Sequence, residues 1–128
     1  MEQYIQQTRT APSHPESERS VLGAMLRSNE AALLAFEALS DDDFFDASNR
    51  EIFSAMRALS ESARAIDLVT LDEELSRRGR LEAVGGAPYL IDLLRSVPSS
   101  ANIKAYIQIV DEKSTLRKLI KASEGILS

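Results

Sequence analysis

The stretch IDLVTLDEELSRRGRLEAVGGAPYLIDLLRSVPSSANIKAYIQIV, residues 66–110, decides the fold class of this chain. Its first leucines recur at the spacing that places side chains on one face of a helix, at Leu68, Leu71 and Leu75. Gly85-Gly86 permits a close turn before a second helical face that begins at Tyr89. Val97-Pro98 ends that helix, because the residue before a proline avoids the helical region. The stretch therefore predicts helices joined by short, ordered turns.

The residues before this stretch continue the helical pattern. Pro15 suits the first position of a helix, with Ser13 or His14 as the residue that caps it. A second helix is predicted from about residue 30 to residue 39. No alternating strand pattern competes anywhere in the chain. The fold class is therefore predicted as all-α, a compact multi-helix domain.

The segment SDDDFFDAS, residues 40–48, is predicted to form a tight turn or a single 3₁₀ turn. Phe44 and Phe45 are both expected to return to the core. Ser48-Asn49-Arg50-Glu51 has the form of a capping box, in which a serine oxygen and a glutamate satisfy the first amides of a helix. A third helix is predicted to start there.

A long C-terminal helix is predicted from Ala101 to about Ile126, with two apolar stripes that polar residues 111–115 separate. A helix packed on one core keeps one stripe, so the second half is predicted to project and to pack on something else. We therefore divide the chain into a flexible N-terminal arm (residues 1–14), a globular helical core (15–112) and the projecting end of the last helix (113–128).

Composition and charge limit the kinds of site and partner that the chain can have. The chain has 128 residues, a formal net charge of −5 and no cysteine, so disulfides and thiolate metal sites are excluded. No apolar run is long enough to span a membrane, and the N terminus lacks an apolar signal core. We expect a cytoplasmic protein with no membrane contact. The negative charge predicts little or no direct nucleic-acid binding, because phosphate contacts need cations.

The sequence contains no motif that indicates a catalytic, phosphate-binding or metal-binding site. The phosphate-binding motif GxxxxGK[ST] is absent, and His14, the single histidine, reads as exposed or capping. The acids 41–43 with Asp46 fit a solvated turn with capping carboxylates better than a cation site. Glu73-Glu74 fit a solvated helix face. The basic run 77–80 is explained mainly by the preference of a helix C terminus for cations.

Four segments carry a family resemblance: ESERSVLGAML, LSDDDFFDASNREIFSAM, IDLVTLDEELSRRGRLEAVGGAPYLIDLL and VPSSANIKAYIQIVDEKSTLRKLI. In this order and spacing they resemble the N-terminal domain of the bacterial replicative DNA helicase, the DnaB family. Two positions depart from the pattern. Pro15 replaces the usual aliphatic residue, and Asn49 stands where a histidine is common. We interpret both as conformational or surface positions.

The resemblance implies a non-catalytic domain that forms a collar in a hexamer, arranged as a trimer of dimers. The collar recruits primase through the C-terminal domain of primase. Residues 116–127 match the first arm of a helical hairpin that pairs with a neighbouring subunit, which would explain the second apolar stripe. The ATP and Mg²⁺ of the family belong to its motor domain, so no cofactor and no catalytic residue are expected in this chain.

The resemblance also implies interaction sites. In the family, some positions are associated with primase contact or with transmitting the effect of that contact. These positions match Glu16, Tyr89, Ile120 and Ile126. Three alternatives stay open from the sequence alone. The chain is also consistent with the helicase-interacting C-terminal domain of a primase, with a small all-α enzyme or metal protein, and with direct DNA binding through the basic run at residues 77–80.

Overall fold

A computed structural model describes the backbone of residues 11–127 and the side chains of residues 11–125. Residues 1–10, and with them most of the predicted arm, lie outside the described residues. Within the described part all regular structure is helical, and the last helix is the longest, which confirms the all-α prediction. The helices are α1 (Pro15–Arg27), α2 (Asn29–Ala38), a 3₁₀ turn (Asp41–Asp43), α3 (Ala47–Glu61), α4 (Leu68–Arg77), α5 (Gly86–Arg95) and α6 (Ile103–Leu127).

Helix α1 starts as the sequence predicts. Pro15 occupies its first turn, and His14 is the capping residue. The His14 Nδ1 atom accepts a hydrogen bond from the backbone amide of Ser17 at 3.1 Å. The single histidine therefore has a structural role, since it satisfies an amide that the helix itself leaves free.

Helix α3 begins two residues earlier than predicted, so the capping box at Ser48 was wrong. Asp46 is the capping residue, and its Oδ1 atom accepts hydrogen bonds from the amides of Ser48 at 2.8 Å and Asn49 at 3.2 Å. Asp46 has extended backbone angles, whereas Ser48 already lies inside the helix. Aspartate and serine cap helices about equally well, so the local sequence does not distinguish a helix capped by Asp46 from one capped by Ser48.

The prediction that both adjacent phenylalanines enter the core was half right. Phe44 is fully buried, whereas Phe45 is 45% exposed. The backbone at Phe44 is extended, with φ −84° and ψ 130°. Consecutive side chains on an extended backbone point to opposite sides, so burying Phe44 turns Phe45 outward.

Helices α1 and α5 cross with their backbones in close contact. A methyl group on Gly23 would overlap the backbone oxygen of Leu93. Gly85 and Gly86 form the predicted turn before α5, with φ of 113° and 71°. Around this crossing the core is built from aliphatic side chains of every helix, including Leu22, Met25, Ile52, Leu71, Leu90 and Val110.

Helix α6 changes its surroundings along its length. Ile103, Ile107 and Val110 are buried in the core, and within residues 111–125 no apolar side chain of α6 is buried. Polar contacts with the core extend as far as Lys118. The division of the chain at residue 113 stays a prediction. Among the helices described, none has the length and apolarity that crossing a membrane requires.

Candidate protein-interaction surface

Three of the four predicted interaction residues lie in the part with described side chains. Glu16 is exposed in the first turn of α1, where the positive end of the helix favours an acid. Ile120 is exposed on the last part of α6. The side chain of Ile126 lies outside the described residues. The structure therefore presents Glu16 and Ile120 to solvent.

Tyr89 differs from the other two because its polar end faces inward. The side chain is half-buried and lies over Gly85, where an added Cβ would approach the Tyr89 Cβ atom to 2.8 Å. Its hydroxyl donates a hydrogen bond to Oδ1 of Asn49 at 2.5 Å. Burial, reinforced by the negative charge of Asp46, raises the pKa of Tyr89 to about 12. The hydroxyl is therefore bound to Asn49 within the domain rather than offered to a partner.

Asn49 was interpreted as a conformational or surface position, and the surface part of that interpretation was wrong. The residue is 2% exposed. Its Nδ2 atom donates to Oε1 of Glu18 at 3.0 Å while its Oδ1 atom receives the Tyr89 hydroxyl. Asn49 therefore connects α1 with α5 from its place on α3. Both ends of its amide are used, as a buried amide requires.

Sequence reasoning missed Glu18, an acid in the first turn of α1. Glu18 is 2% exposed. Its carboxylate accepts hydrogen bonds from the amides of Phe45 at 2.7 Å and Asp46 at 3.3 Å, as well as from Asn49. A signal was present in the sequence. Glu18 lies three and four residues before Val21 and Leu22, on the apolar face of the helix.

A second polar cluster lies where α6 leaves the core. Ser114 donates to Oδ1 of the buried Asp43 at 2.6 Å, and Lys118 approaches the same oxygen at 3.2 Å. The Arg117 guanidinium donates to the backbone oxygens of Pro12 and Asp43, at 2.8 Å and 2.7 Å. It also lies over the ring of Phe45, 5.3 Å from the centroid. This cluster connects the exposed aromatic ring with α6.

The same part of α6 also carries exposed apolar side chains. Leu116, Leu119 and Ile120 are 44%, 60% and 45% exposed. Their spacing of three and four residues places them on one side of the helix. A group of exposed apolar side chains of this kind is a candidate surface for contact with another protein element.

The interpretation of Glu73-Glu74 as a solvated pair was wrong for Glu74, which is 4% exposed. Its carboxylate pairs with Arg77 and with Arg78, the latter at 2.8 Å. Helix α4 packs on α3, and Arg78, which binds Glu74, also donates to Ser54 of α3. Hydrogen bonds from Arg78 and Arg77 outweigh burial and hold the pKa of Glu74 below its ordinary value.

These ion pairs bear on the DNA-binding and metal-binding alternatives. Arg78 and Arg80 also approach Glu51, at 3.7 Å and 3.8 Å, so acids already pair with the basic run. Asp43 and Asp46 bind backbone amides. Among the residues with described side chains, no three acids or histidines are arranged to hold a metal ion.

The fold and the surface define a class: a small all-α domain whose exposed apolar side chains include those at the end of the last helix and an aromatic ring beside that helix. A model of the "DnaB-like helicase N terminal domain" matches residues 10–112. The chain therefore belongs to the family of bacterial replicative DNA helicases, as a member of its N-terminal domain. This is the non-catalytic domain of the family, and the match decides against the primase-domain alternative.

Named relatives agree with the family match. The chain is 44% identical over 118 residues to the replicative DNA helicase DnaC of Bacillus subtilis (strain 168), covering 92% of the chain and 26% of that protein. It is 40% identical to the replicative DNA helicase DnaB of Geobacillus stearothermophilus, with the same coverage. The chain thus spans about a quarter of the length of these curated relatives.

A solved structure agrees on the fold. The crystal structure of the N-terminal domain of DnaB helicase from Mycobacterium tuberculosis matches with a TM-score of 0.90 and 38% sequence identity. The match covers 92% of this chain and 84% of the chain in the crystal structure. The helical arrangement described above is therefore that of the family's N-terminal domain.

Proposed function

We propose that this chain forms the collar of a hexameric replicative helicase in the bacterial cytoplasm, holding subunits together as a trimer of dimers and recruiting the C-terminal domain of primase. The observation that carries the proposal is the exposed apolar face of Leu116, Leu119 and Ile120. Unwinding of DNA with ATP and Mg²⁺ is assigned to the motor domain of the whole helicase. No catalytic step is assigned to this chain.

Self-association is the first part of the proposal. Each of the three apolar side chains leaves roughly half of its surface in water, and covering that half contributes on the order of 1 kcal/mol per side chain. The same face on a second subunit doubles the gain. The second half of α6 resembles the first arm of the family's helical hairpin. Its apolar side chains recur at the spacing that helix packing uses.

Light scattering and sedimentation of Leu119→Ser test the assembly. Val69→Ser is a matched control, because Val69 is an exposed aliphatic residue on α4, away from the proposed face. We expect Leu119→Ser to shift the association equilibrium toward monomer and Val69→Ser to leave it unchanged. Equal behaviour of the two variants would remove the support for this face as the assembly surface.

Primase recruitment is the second part, with Glu16, Tyr89, Ile120 and Ile126 as the proposed positions. Glu16 is an exposed carboxylate at a helix start, available to a basic group of the partner. Calorimetric titration with the primase C-terminal domain of the same organism measures the affinity. Glu30→Ala is the control for Glu16→Ala, because both acids are exposed in the first turn of a helix.

We expect Glu16→Ala to weaken primase binding by about tenfold or more, the cost of about 1.4 kcal/mol that marks an interface residue. Glu30→Ala is expected to leave the Kd unchanged. A wild-type chain that folds and self-associates but shows no binding to the primase domain would refute recruitment by this domain and leave assembly intact.

A further inference from the structure

The segment Phe44–Asp46 is held on both sides by hydrogen bonds to its backbone. Glu18 accepts from the amides of Phe45 and Asp46. Arg50 Nη1 donates to the backbone oxygens of Phe44 at 3.1 Å and Phe45 at 2.9 Å. A short connection between helices usually has solvated backbone groups and moves easily. This segment is fixed instead.

The side chain that the segment presents is Phe45, which is large, aromatic and half-exposed. Arg117 lies over its ring and has its own guanidinium fixed by two backbone oxygens. Aromatic residues and arginine are enriched in protein interfaces. A ring that is already held in place loses little entropy when a partner covers it. The geometry is that of an anchor prepared for binding.

The connection to Tyr89 runs through buried groups. The Tyr89 hydroxyl binds Asn49, Asn49 binds Glu18, and Glu18 binds the amides of the segment. Burying a carboxylate is costly, and such groups contribute little net stability compared with apolar packing. Their effect is to determine which arrangement of the chain is adopted. Here these buried groups determine the conformation of the segment that exposes Phe45.

We propose that Tyr89 is a positioning residue for partner binding, and that through Asn49 and Glu18 it fixes the segment that offers Phe45 to the primase C-terminal domain. This inference rests on the proposed function. The partner contributes an apolar pocket for the ring. A single-stranded nucleic acid is disfavoured, because the N–H groups of Arg117 and Arg50 near the ring already bind backbone oxygens and Lys118 pairs with Asp43.

Amide hydrogen exchange of the free protein tests the positioning step without a partner. Tyr89→Phe keeps the ring and removes only the hydroxyl. We expect the amides of Phe45 and Asp46 to exchange about tenfold faster or more, while core amides of α1 keep their protection. Tyr106→Phe is the control, because Tyr106 is a half-buried tyrosine on α6. Unchanged protection at Phe45 in Tyr89→Phe would overturn the proposal.

A double-mutant cycle of Tyr89→Phe with Phe45→Ala tests the link to binding. If Tyr89 acts through the segment, its effect on the affinity for the primase domain disappears when Phe45 is already removed. Additive losses would mean that Tyr89 contacts the partner independently, and the proposal would be wrong. Two further results overturn the assignment of the partner. These are loss of self-association in Phe45→Ala and binding of a thymidine oligonucleotide that depends on Phe45.

The two proposals fail in different ways. If the wild-type chain does not bind the primase domain, recruitment by this domain is refuted and the binding role of Phe45 falls with it. The exchange experiment still decides whether Tyr89 fixes the segment. If the primase domain binds but Phe45→Ala binds equally well, recruitment stands and the role of Phe45 is refuted.

Discussion

Replacing Asp43 by alanine is predicted to destabilise the domain strongly, because Asp43 joins the segment before α3 to α6. Its carboxylate accepts hydrogen bonds from the amide of Ser40 at 2.8 Å, the hydroxyl of Ser114 at 2.6 Å and the ammonium of Lys118 at 3.2 Å. The bond from Ser40 is part-buried and the bond from Ser114 is buried, and each has a charged acceptor and is worth about 1.5 kcal/mol. The Lys118 side chain is 66% exposed, so its bond adds about 0.5 kcal/mol.

We therefore expect Asp43→Ala to lower the free energy of unfolding by about 3 kcal/mol at neutral pH, measured by urea denaturation followed by circular dichroism. Asp42→Ala is the control, since Asp42 is the exposed neighbour in the same 3₁₀ turn. A loss below about 0.5 kcal/mol, or an equal loss in Asp42→Ala, would refute the assignment of Asp43 as the anchor of α6.

The pH dependence of this loss provides a second check. Burial alone would raise the pKa of Asp43, but the hydrogen bonds from Ser114, Ser40 and Lys118 together hold it below its ordinary value of 3.8. Because the folded-state pKa is lowered, the stabilisation is present above pH 3.8 and is lost as the pH falls through the folded-state value. The difference in free energy of unfolding between wild type and Asp43→Ala should therefore shrink as the pH falls below 3.8. A difference independent of pH would contradict the role of the carboxylate charge.

Three further predictions concern α1, α3 and α5. Gly23→Ala should cost about 2–4 kcal/mol in thermal unfolding, because the methyl group overlaps the Leu93 oxygen; a small loss would mean that the helices do not cross so closely. Absorbance titration should show one phenol that ionises only near pH 12 and is absent from Tyr89→Phe; stability gained from this raised pKa is lost as the pH rises through that value. Asn49→Asp should be unstable at neutral pH and recover as the pH falls, because the introduced carboxylate and that of Glu18 repel each other unless a proton lies between them; urea midpoints that do not change with pH would contradict this.

Helix type and approximate position follow from the sequence, because apolar side chains recur with the helical period. The residue at which a helix starts is predicted less reliably from the sequence. Asp46 and Ser48 both have capping side chains, and only the tertiary contact of Glu18 with the Asp46 amide distinguishes them. The same carboxylate binds the amide of Phe45, the phenylalanine that stays exposed. Such contacts join residues far apart in the sequence, and a local pattern does not contain them.

The site was less predictable than the fold for a related reason. Glu18, Asn49 and Glu74 are polar residues that the structure buries, and the sequence alone favours solvent for polar side chains. Glu18 and Asn49 are bound by partners on other helices, whereas Glu74 is paired with Arg77 and Arg78 at the end of its own helix. The position of Tyr89 was available from the family resemblance. The inward direction of its hydroxyl was not, because it depends on where Asn49 lies.

The polar contacts also explain how a domain of this size controls the direction of α6. Apolar packing of α6 ends at Val110 within the described residues, and apolar packing alone tolerates rotation and sliding of a helix. Beyond that point, directional hydrogen bonds from Ser114, Arg117 and Lys118 to Asp43 determine where the helix points. Asp43 in turn leads directly into the segment that Glu18 holds. The apolar face proposed for assembly and the ring proposed for recruitment are thus oriented by one connected set of polar contacts. A change at Asp43 is therefore expected to affect both functions, whereas a change at Tyr89 affects only the second.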